Sequence, residues 1–405
     1  MVARNENFGK LQAGYLFPEI TRRRRVFQEQ HPNAKIISLG IGNTTEPITS
    51  SICKALTDAA AGMGTIAGYS GYGDEQGQTA LREAIADAYY HNLIKGAEVF
   101  VSDGAKCDIG RLQLLFGPNT KIAVQDPSYP VYVDSGVILG QTGFFEAGTA
   151  QFQGITYLPC NPENKFFPEL HSIPPGTVIY FCSPNNPTGA VASREQLQQL
   201  VEFARKYRCI IVFDAAYALY ISDPKLPRSI YEIPGAREVA IEVNSFSKPA
   251  GFTGLRLGWT VVPSELVFDD GTLVRNDWNR IMTTLFNGAS NVVQKAGLFA
   301  LSPAGLAEMR ELIAFYMGNA QIIRKTLLEL DFETYGGDNA PYIWARMRGM
   351  KSWEAFEELL NKAHVVTTPG SGFGPAGEGF LRFSCFGHRP DVEDACERLT
   401  TLLRR

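Results

Sequence analysis

The sequence predicts an α/β fold, with a mostly parallel central sheet wrapped by helices and a smaller α+β domain after it. Three observations predict this. Short apolar runs alternate with longer helical patterns through the middle of the chain. Those runs are rich in β-branched and aromatic residues and end in Pro, Gly or Asp, as strands buried on both faces do. From Pro303 onward the alternation stops, and one long helical stretch leads into a few strands and further helices.

The elements follow in chain order. Residues 121–125, 178–182, 209–213, 239–243 and 259–262 read as buried strands. Between two of them, Ser193 precedes a helical pattern as its N-cap, with Gln196 three residues on as the second half of a capping box. Leu197, Leu200, Val201 and Ala204 recur there at helical spacing. Strand, helix and strand repeated in this way make a parallel sheet covered by helices, and functional residues are then expected at the carboxyl ends of the strands. Residues 303–330 read as a helix, 341–345 as a strand, 353–363 as a helix, 380–386 as a strand and 391–403 as a final helix. We divide the chain into an amino-terminal arm (1–45) packing with the small domain, a large domain (46–300) and a small carboxyl-terminal domain (301–405).

Composition narrows the function. The chain has 405 residues, 45% apolar and 20% charged, which argues against disorder and coiled coil and allows a large core. A net charge of −4 provides no general basic field for nucleic acid. The run Arg22 to Arg25 reads as the solvated face of an early helix, since it is isolated between Ile20 and Val26. Seven cysteines lie scattered, without a CxxC pair, so no zinc knuckle or thioredoxin-type motif is visible. Cys182 and Cys209 sit in apolar runs as small buried hydrophobes. A reducing cytoplasm is the expected location. Neither a secretory signal nor a membrane span is expected, because no sufficiently long apolar run occurs. No metal site is expected.

Three strand ends carry the chemistry. Lys248 follows a buried strand in the sequence N-S-F-S-K-P-A-G-F-T-G-L-R, with Arg256 eight positions later. A lysine on such a loop is either an ordinary surface group or a Schiff-base amine, which needs partial desolvation to lower its pKa. Ser245, Ser247 and Arg256 around it suit a phosphate monoester. Asp214 ends the run F-D-A-A-Y, with Tyr217 three positions on. Alone it reads as a turn former or helix cap. Its distance of 34 positions from Lys248 leaves room for one crossover and one further strand. The third piece, S-P-N-N-P-T-G from Ser183 to Gly189, contains Asn186 and is by itself a turn sequence.

In this order and spacing, the N-P-T-G, D-x-x-Y and S-x-S-K-x7-R motifs resemble the class I/II aminotransferases, which are fold-type I pyridoxal-phosphate enzymes. The resemblance implies that Lys248 holds pyridoxal 5′-phosphate and then moves a proton on the substrate. It implies that Asp214 keeps the pyridine nitrogen protonated. Tyr217 and Asn186 would donate to the ring's phenolic oxygen. Upstream, V-S-D-G-A-K leads into a helix, a ready phosphate site through its free N–H groups, and the resemblance puts Ala105 and Lys106 at the phosphate. Capping of that helix by Asp103 is the plainer reading and is compatible with it. In D-P-S-Y-P, Tyr129 would stack on the cofactor ring; its plainer reading is an aromatic plugging a proline turn. Arg382 stands in an apolar strand, where a charge needs a partner or must snorkel from an edge. In the family, the matching arginine grips the substrate α-carboxylate.

A narrower resemblance covers nearly the whole chain. G-Y-L-F-P-E-I from Gly14, S-L-G-I-G from Ser38, G-Y-S-G-Y-G from Gly68, F-N-G-A-S from Phe286 and T-P-G-S-G-F-G from Thr368 are similar to the LL-diaminopimelate aminotransferases. Asn43 departs from the family, where Asp is expected. The resemblance implies a homodimer with shared active sites. Tyr72 would reach the neighbouring subunit's cofactor phosphate, and Glu75 and Asn287 its substrate. Tyr15, Gly42 and Lys106 would line the substrate pocket. The substrates implied are diaminopimelate, tetrahydrodipicolinate, glutamate and 2-oxoglutarate, with no nucleic acid and no membrane as partner. The alternatives are an aminotransferase for aromatic or other amino acids, and a pyridoxal-phosphate C–S lyase or cyclising synthase on the same fold. A ligand-sensing regulator would need a DNA-binding module, for which the acidic chain offers no candidate.

Overall fold

The five apolar runs become five strands of one seven-stranded sheet. Their residues are buried along their whole length in Thr177–Cys182 and Ala240–Ser245, as strands covered on both faces must be. The computed structural model describes residues 1–12 and 16–403, so Tyr15 lies outside the described residues. In space the strands run Val99–Ser102, Gly258–Val261, Ala240–Ser245, Ile210–Asp214, Thr177–Cys182, Lys121–Asp126 and Ile155–Pro159. Gly258–Val261 is antiparallel to both neighbours. The remaining pairs are parallel. Sequence reading did not single out Val99–Ser102, which is only four residues long, or Ile155–Pro159, a half-buried edge strand whose pattern is not continuously apolar.

Helices cover both faces and bury separate apolar clusters. Arg194–Tyr207 starts with the expected capping box: Ser193 accepts from the Gln196 N–H, and the Gln196 side chain accepts from the Ser193 N–H. Such a cap is worth about 1 kcal/mol. That helix turns Leu197, Leu200, Val201 and Ala204 inward, onto a core that includes Phe213 and Trp259. Ile109, Leu112, Tyr132, Tyr180 and Trp278 fill the other face. Cys182 and Cys209 are buried free thiols.

A third core lies in the carboxyl-terminal part. The antiparallel strands Thr334–Gly336, Tyr342–Arg346, Phe380–Ser384 and Thr368–Pro369 form a second sheet. The long helix Pro303–Glu329, capped by Ser302, packs Leu312, Tyr316 and Ile323 against it. The first helix, Leu16–Gln30, contributes Leu16, Ile20 and Phe27 to this same core, and Ile37–Ser38 pairs in parallel with Val365–Val366. The arginine run lies on the outer face of that first helix, where Arg22 and Arg23 pair with Glu19 at 2.7 Å each. The helix expected over 353–363 forms as an α-helix, Ser352–Glu358, continued by a π-helical turn, Leu359–Ala363. Apolar spacing over five residues does not separate those two turns.

The register places the functional strand ends on one edge. Cys182 sits opposite Asp214, Asp214 opposite Val243, and Gly258 opposite both Ser245 and Ser102. Gly258 has to lack a side chain, because a Cβ would lie 2.8 Å from Gly104 Cα and from the Asn244 carbonyl oxygen. That close approach brings the 102–106 turn against the 245–248 turn.

Candidate active site

A cavity of about 310 Å³ opens at this edge, between the central sheet and the carboxyl-terminal strands. Ser245, Ser247, Lys248 and Arg256 line it together with Ala105 and Lys106. Ala105 and Lys106 are the first residues of the helix Ala105–Phe116. Its N-cap is Gly104 and not Asp103, which corrects the capping expectation: Asp103 turns away to pair with Arg111 at 2.7 Å. Gly104 takes a φ of +119°, and a Cβ there would collide with the Arg256 guanidinium. Glycine therefore lets a fixed cation approach a helix N-terminus, itself a partial positive charge. The Arg256 guanidinium donates to Ser247 Oγ at 3.3 Å. Two hydroxyls, a guanidinium and a helix start form a donor set that fits the phosphate of pyridoxal phosphate.

Lys248 is half-buried, and its amine donates to the Gly42 carbonyl oxygen. Burial, reinforced by the positive charges of Arg382 and Arg256, pushes its pKa down to about 8. Its neutral, nucleophilic fraction is thus substantial at neutral pH. The rate at which cofactor-free protein captures pyridoxal phosphate should therefore rise with pH and level off above about 8. Stopped-flow absorbance across pH 6 to 10.5 checks this; a continued rise to the top of that range would mark an ordinary surface amine.

Asp214 is 6% exposed. Its carboxylate accepts from the Tyr132 hydroxyl at 2.7 Å and from the Ala216 N–H at 3.1 Å. Burial raises its pKa, and these two donors oppose that rise. A protonated ring nitrogen facing it would favour the charged form further. Asn186 and Tyr217 line the same space. The Asn186 oxygen accepts from Arg382 at 2.6 Å, leaving its Nδ2 as the donor end. The Tyr217 hydroxyl lies 2.7 Å from the Tyr342 hydroxyl.

Arg382 is 1% exposed and reaches the cavity from the strand Phe380–Ser384. It also donates to the Gly40 carbonyl oxygen and to Thr368 Oγ1. The rings of Tyr342, Phe373 and Phe17 surround its guanidinium carbon at 4.3, 4.9 and 5.9 Å. Its Nε is buried without an acceptor among the described residues. A cation held this way suits a carboxylate, which accepts two parallel hydrogen bonds. Lys106 Nζ lies 5.9 Å from the centre of the Tyr129 ring, so both reach the same part of the cavity.

The cavity thus gathers Gly42, Ala105, Lys106, Tyr129, Asn186, Asp214, Tyr217, Ser245, Ser247, Lys248, Arg256 and Arg382. Tyr72, Glu75 and Asn287 do not line it. The turn that follows Asn287 approaches Glu75, since a Cβ on Gly288 would sit 3.7 Å from Glu75 Cα, and Tyr72 is 93% exposed. Sequence reasoning missed Tyr132 and Tyr342, both cavity residues. Tyr132 had a weak signal, three positions after Tyr129 on the start of a helix. Tyr342 had none, since an aromatic in an apolar strand reads as core. Among the described residues no cluster of His, Cys, Asp and Glu could hold a metal, and no helix is long and apolar enough to cross a membrane.

Comparison with known proteins places this geometry. The family described as aminotransferase class I and II matches residues 34–399. The chain is 59% identical over 404 residues to a probable chloroplastic LL-diaminopimelate aminotransferase of Oryza sativa subsp. japonica, covering 100% of this chain and 87% of the relative. It is 56% identical over 399 residues to the LL-diaminopimelate aminotransferase of Protochlamydia amoebophila (strain UWE25), covering 98% and 97%. The solved structure of L,L-diaminopimelate aminotransferase from Chlamydomonas reinhardtii superposes with a TM-score of 0.96 at 59% identity, over 99% of each chain.

Proposed function

The chain belongs to the class I and II aminotransferases, and from that premise we propose how its cavity residues divide the work. The enzyme is a pyridoxal-phosphate-dependent transaminase of lysine biosynthesis. It moves an amino group between LL-2,6-diaminopimelate and 2-oxoglutarate, with tetrahydrodipicolinate and glutamate as products. The observation that carries the assignment of roles is that Lys248, Asp214, Asn186 and Arg382, from four different segments, line one cavity.

Bound pyridoxal phosphate supplies an aldehyde that takes the amino group and a ring that takes up an electron pair. Ser245, Ser247, Arg256 and the helix start at Ala105 hold its phosphate. Asp214 keeps a proton on the ring nitrogen, and Tyr132 orients that carboxylate. Tyr217 and Asn186 donate to the ring oxygen, and Tyr129 covers the ring face. Lys248 Nζ, with its depressed pKa, would accept the proton from the substrate Cα and carry it to the far side of the transferred nitrogen. Arg382, with Asn186, clamps the α-carboxylate and so orients the Cα–H bond. The aromatic wall around Arg382 excludes water and strengthens that clamp.

A distal carboxylate and ammonium remain to be recognised at the far end of diaminopimelate. Lys106 and Tyr15 suit the carboxylate, and Gly42 lines the cavity as a further substrate contact. Glu75 suits the ammonium, reaching over from a second copy of the chain together with Asn287, while Tyr72 reaches the partner's phosphate. The exposed Ile66, Tyr69 and Tyr72, three large apolar side chains in one short segment, support a homodimer that covers them. Glutamate has no distal ammonium. Glu75→Ala should therefore slow the diaminopimelate half-reaction about tenfold or more while sparing the glutamate half-reaction. Single-turnover absorbance measurements decide this, and equal losses would defeat the assignment.

We place the protein in the cytoplasm on its cysteine usage, whereas the Oryza relative is described as chloroplastic. We retain 46–300 and 301–405 as the bounds of the two domains, with 1–45 as the arm. The test of the function is a product assay. LL-diaminopimelate should yield glutamate only when 2-oxoglutarate is present. Product release without a 2-oxo acid would indicate a lyase, and faster turnover of aromatic amino acids would indicate a different transaminase.

A further inference from the structure

Tyr342 is 1% exposed and stands on the strand Tyr342–Arg346, two residues before Trp344, which pairs with Arg382. Its ring lies 4.3 Å from the Arg382 guanidinium carbon and edge-on to the Tyr217 ring, with centroids 5.2 Å apart. Two glycines make room for it. A Cβ on Gly42 would collide with the Tyr342 hydroxyl, and one on Gly189 would lie 2.6 Å from the Tyr342 carbonyl oxygen. Gly189 closes the N-P-T-G turn with a φ of +70°. One tyrosine thus meets the Gly42 loop, the N-P-T-G turn, Tyr217 and Arg382.

We propose that Tyr342 is a positioning residue whose hydroxyl donates to the Tyr217 oxygen and so commits the single Tyr217 proton to the cofactor's ring oxygen. The proposal rests on the role assigned to Tyr217 above. A phenol has one proton to give and an oxygen that accepts. The two hydroxyls, 2.7 Å apart, admit either order. Only one order leaves Tyr217 able to donate into the cavity. Arg382 favours that order: its guanidinium carbon lies 4.3 Å from the Tyr342 ring, and its charge is the main effect opposing burial at Tyr342 but a lesser one at Tyr217, so Tyr342 is the better donor. Burial and its contact with Tyr342 raise the Tyr217 phenol, which makes it the better acceptor. A donor that itself accepts a hydrogen bond is polarised and donates more strongly.

The test is a pH titration of the absorbance of cofactor-loaded protein. A donor to the ring oxygen stabilises its anionic form, so a weaker donor lets the neighbouring proton bind more tightly. Tyr342→Phe keeps the ring against Arg382 and should raise the titration midpoint by ~0.5 to 1 pH unit. Tyr217→Phe should raise it at least as far, and the double variant no further than Tyr217→Phe. A wild-type midpoint in Tyr342→Phe, with Tyr217→Phe shifted, would overturn the relay and leave the Tyr217 role standing. Additive shifts in the double variant would overturn it too, as two independent paths. An unshifted Tyr217→Phe would remove the Tyr217 role and the relay with it.

Discussion

Lys248→Ala is expected to abolish turnover, by ~10³-fold or more, and to remove the absorbance band of the covalent lysine–cofactor linkage. Two functions are lost at once, the covalent hold on the cofactor and the proton carrier at the substrate Cα. The amine is placed for both, since it lines the cavity beside the Ser245–Ser247 turn and has a pKa of about 8. Lys248→Arg separates these functions from mere positive charge. Arginine keeps the cation but offers no neutral amine near neutral pH. It should be as inactive as alanine. Steady-state rates with a cofactor spectrum of each variant check the pair. Appreciable turnover in either would remove Lys248 from the chemistry.

Asp214→Asn is expected to have the next largest effect. Asparagine keeps the shape and an oxygen that can accept from Tyr132, but it lacks the charge opposite the ring nitrogen. Breaking a buried charge pair by neutralising one partner costs ~3–5 kcal/mol. If that cost falls on the transition state, the rate drops by ~10² to 10³-fold or more. Tyr132→Phe gives the internal scale. It removes one donor, at 2.7 Å, while the Ala216 N–H remains, so its loss should be about tenfold. The ratio of these effects in kcat is the measurement. An Asp214→Asn enzyme with near-normal kcat would show that the carboxylate only shapes the turn.

The legible parts of the molecule were those in which one physical constraint leaves a pattern. Strands buried on both faces must be continuously apolar, so the five middle strands could be read directly, whereas the half-buried edge strand Ile155–Pro159 could not. Arg382 stood out because a charge within an apolar strand needs a reason, whereas Asp214 and Lys248 became legible only through the combined order and spacing of their motifs. Gly104 could be read only as part of a glycine turn; its necessity appears in the collision that a Cβ would make with Arg256. Asp103 does not cap because its competitor, Arg111, about two helical turns further on, draws it away from the helix start. Tyr132 and Tyr342 were hidden for the opposite reason. Their rings read as core, and the hydroxyl contacts that tie them to Asp214 and Tyr217 leave no pattern in the sequence. Tyr72, Glu75 and Asn287 entered through family resemblance alone, and a single chain leaves all three outside its own cavity.

Borohydride reduction of the cofactor-loaded protein, followed by peptide mass mapping, tests the central claim most directly. The account predicts one added pyridoxyl group per chain, on the Nζ of Lys248. Attachment at Lys106 or any other lysine, with residue 248 unmodified, would contradict it.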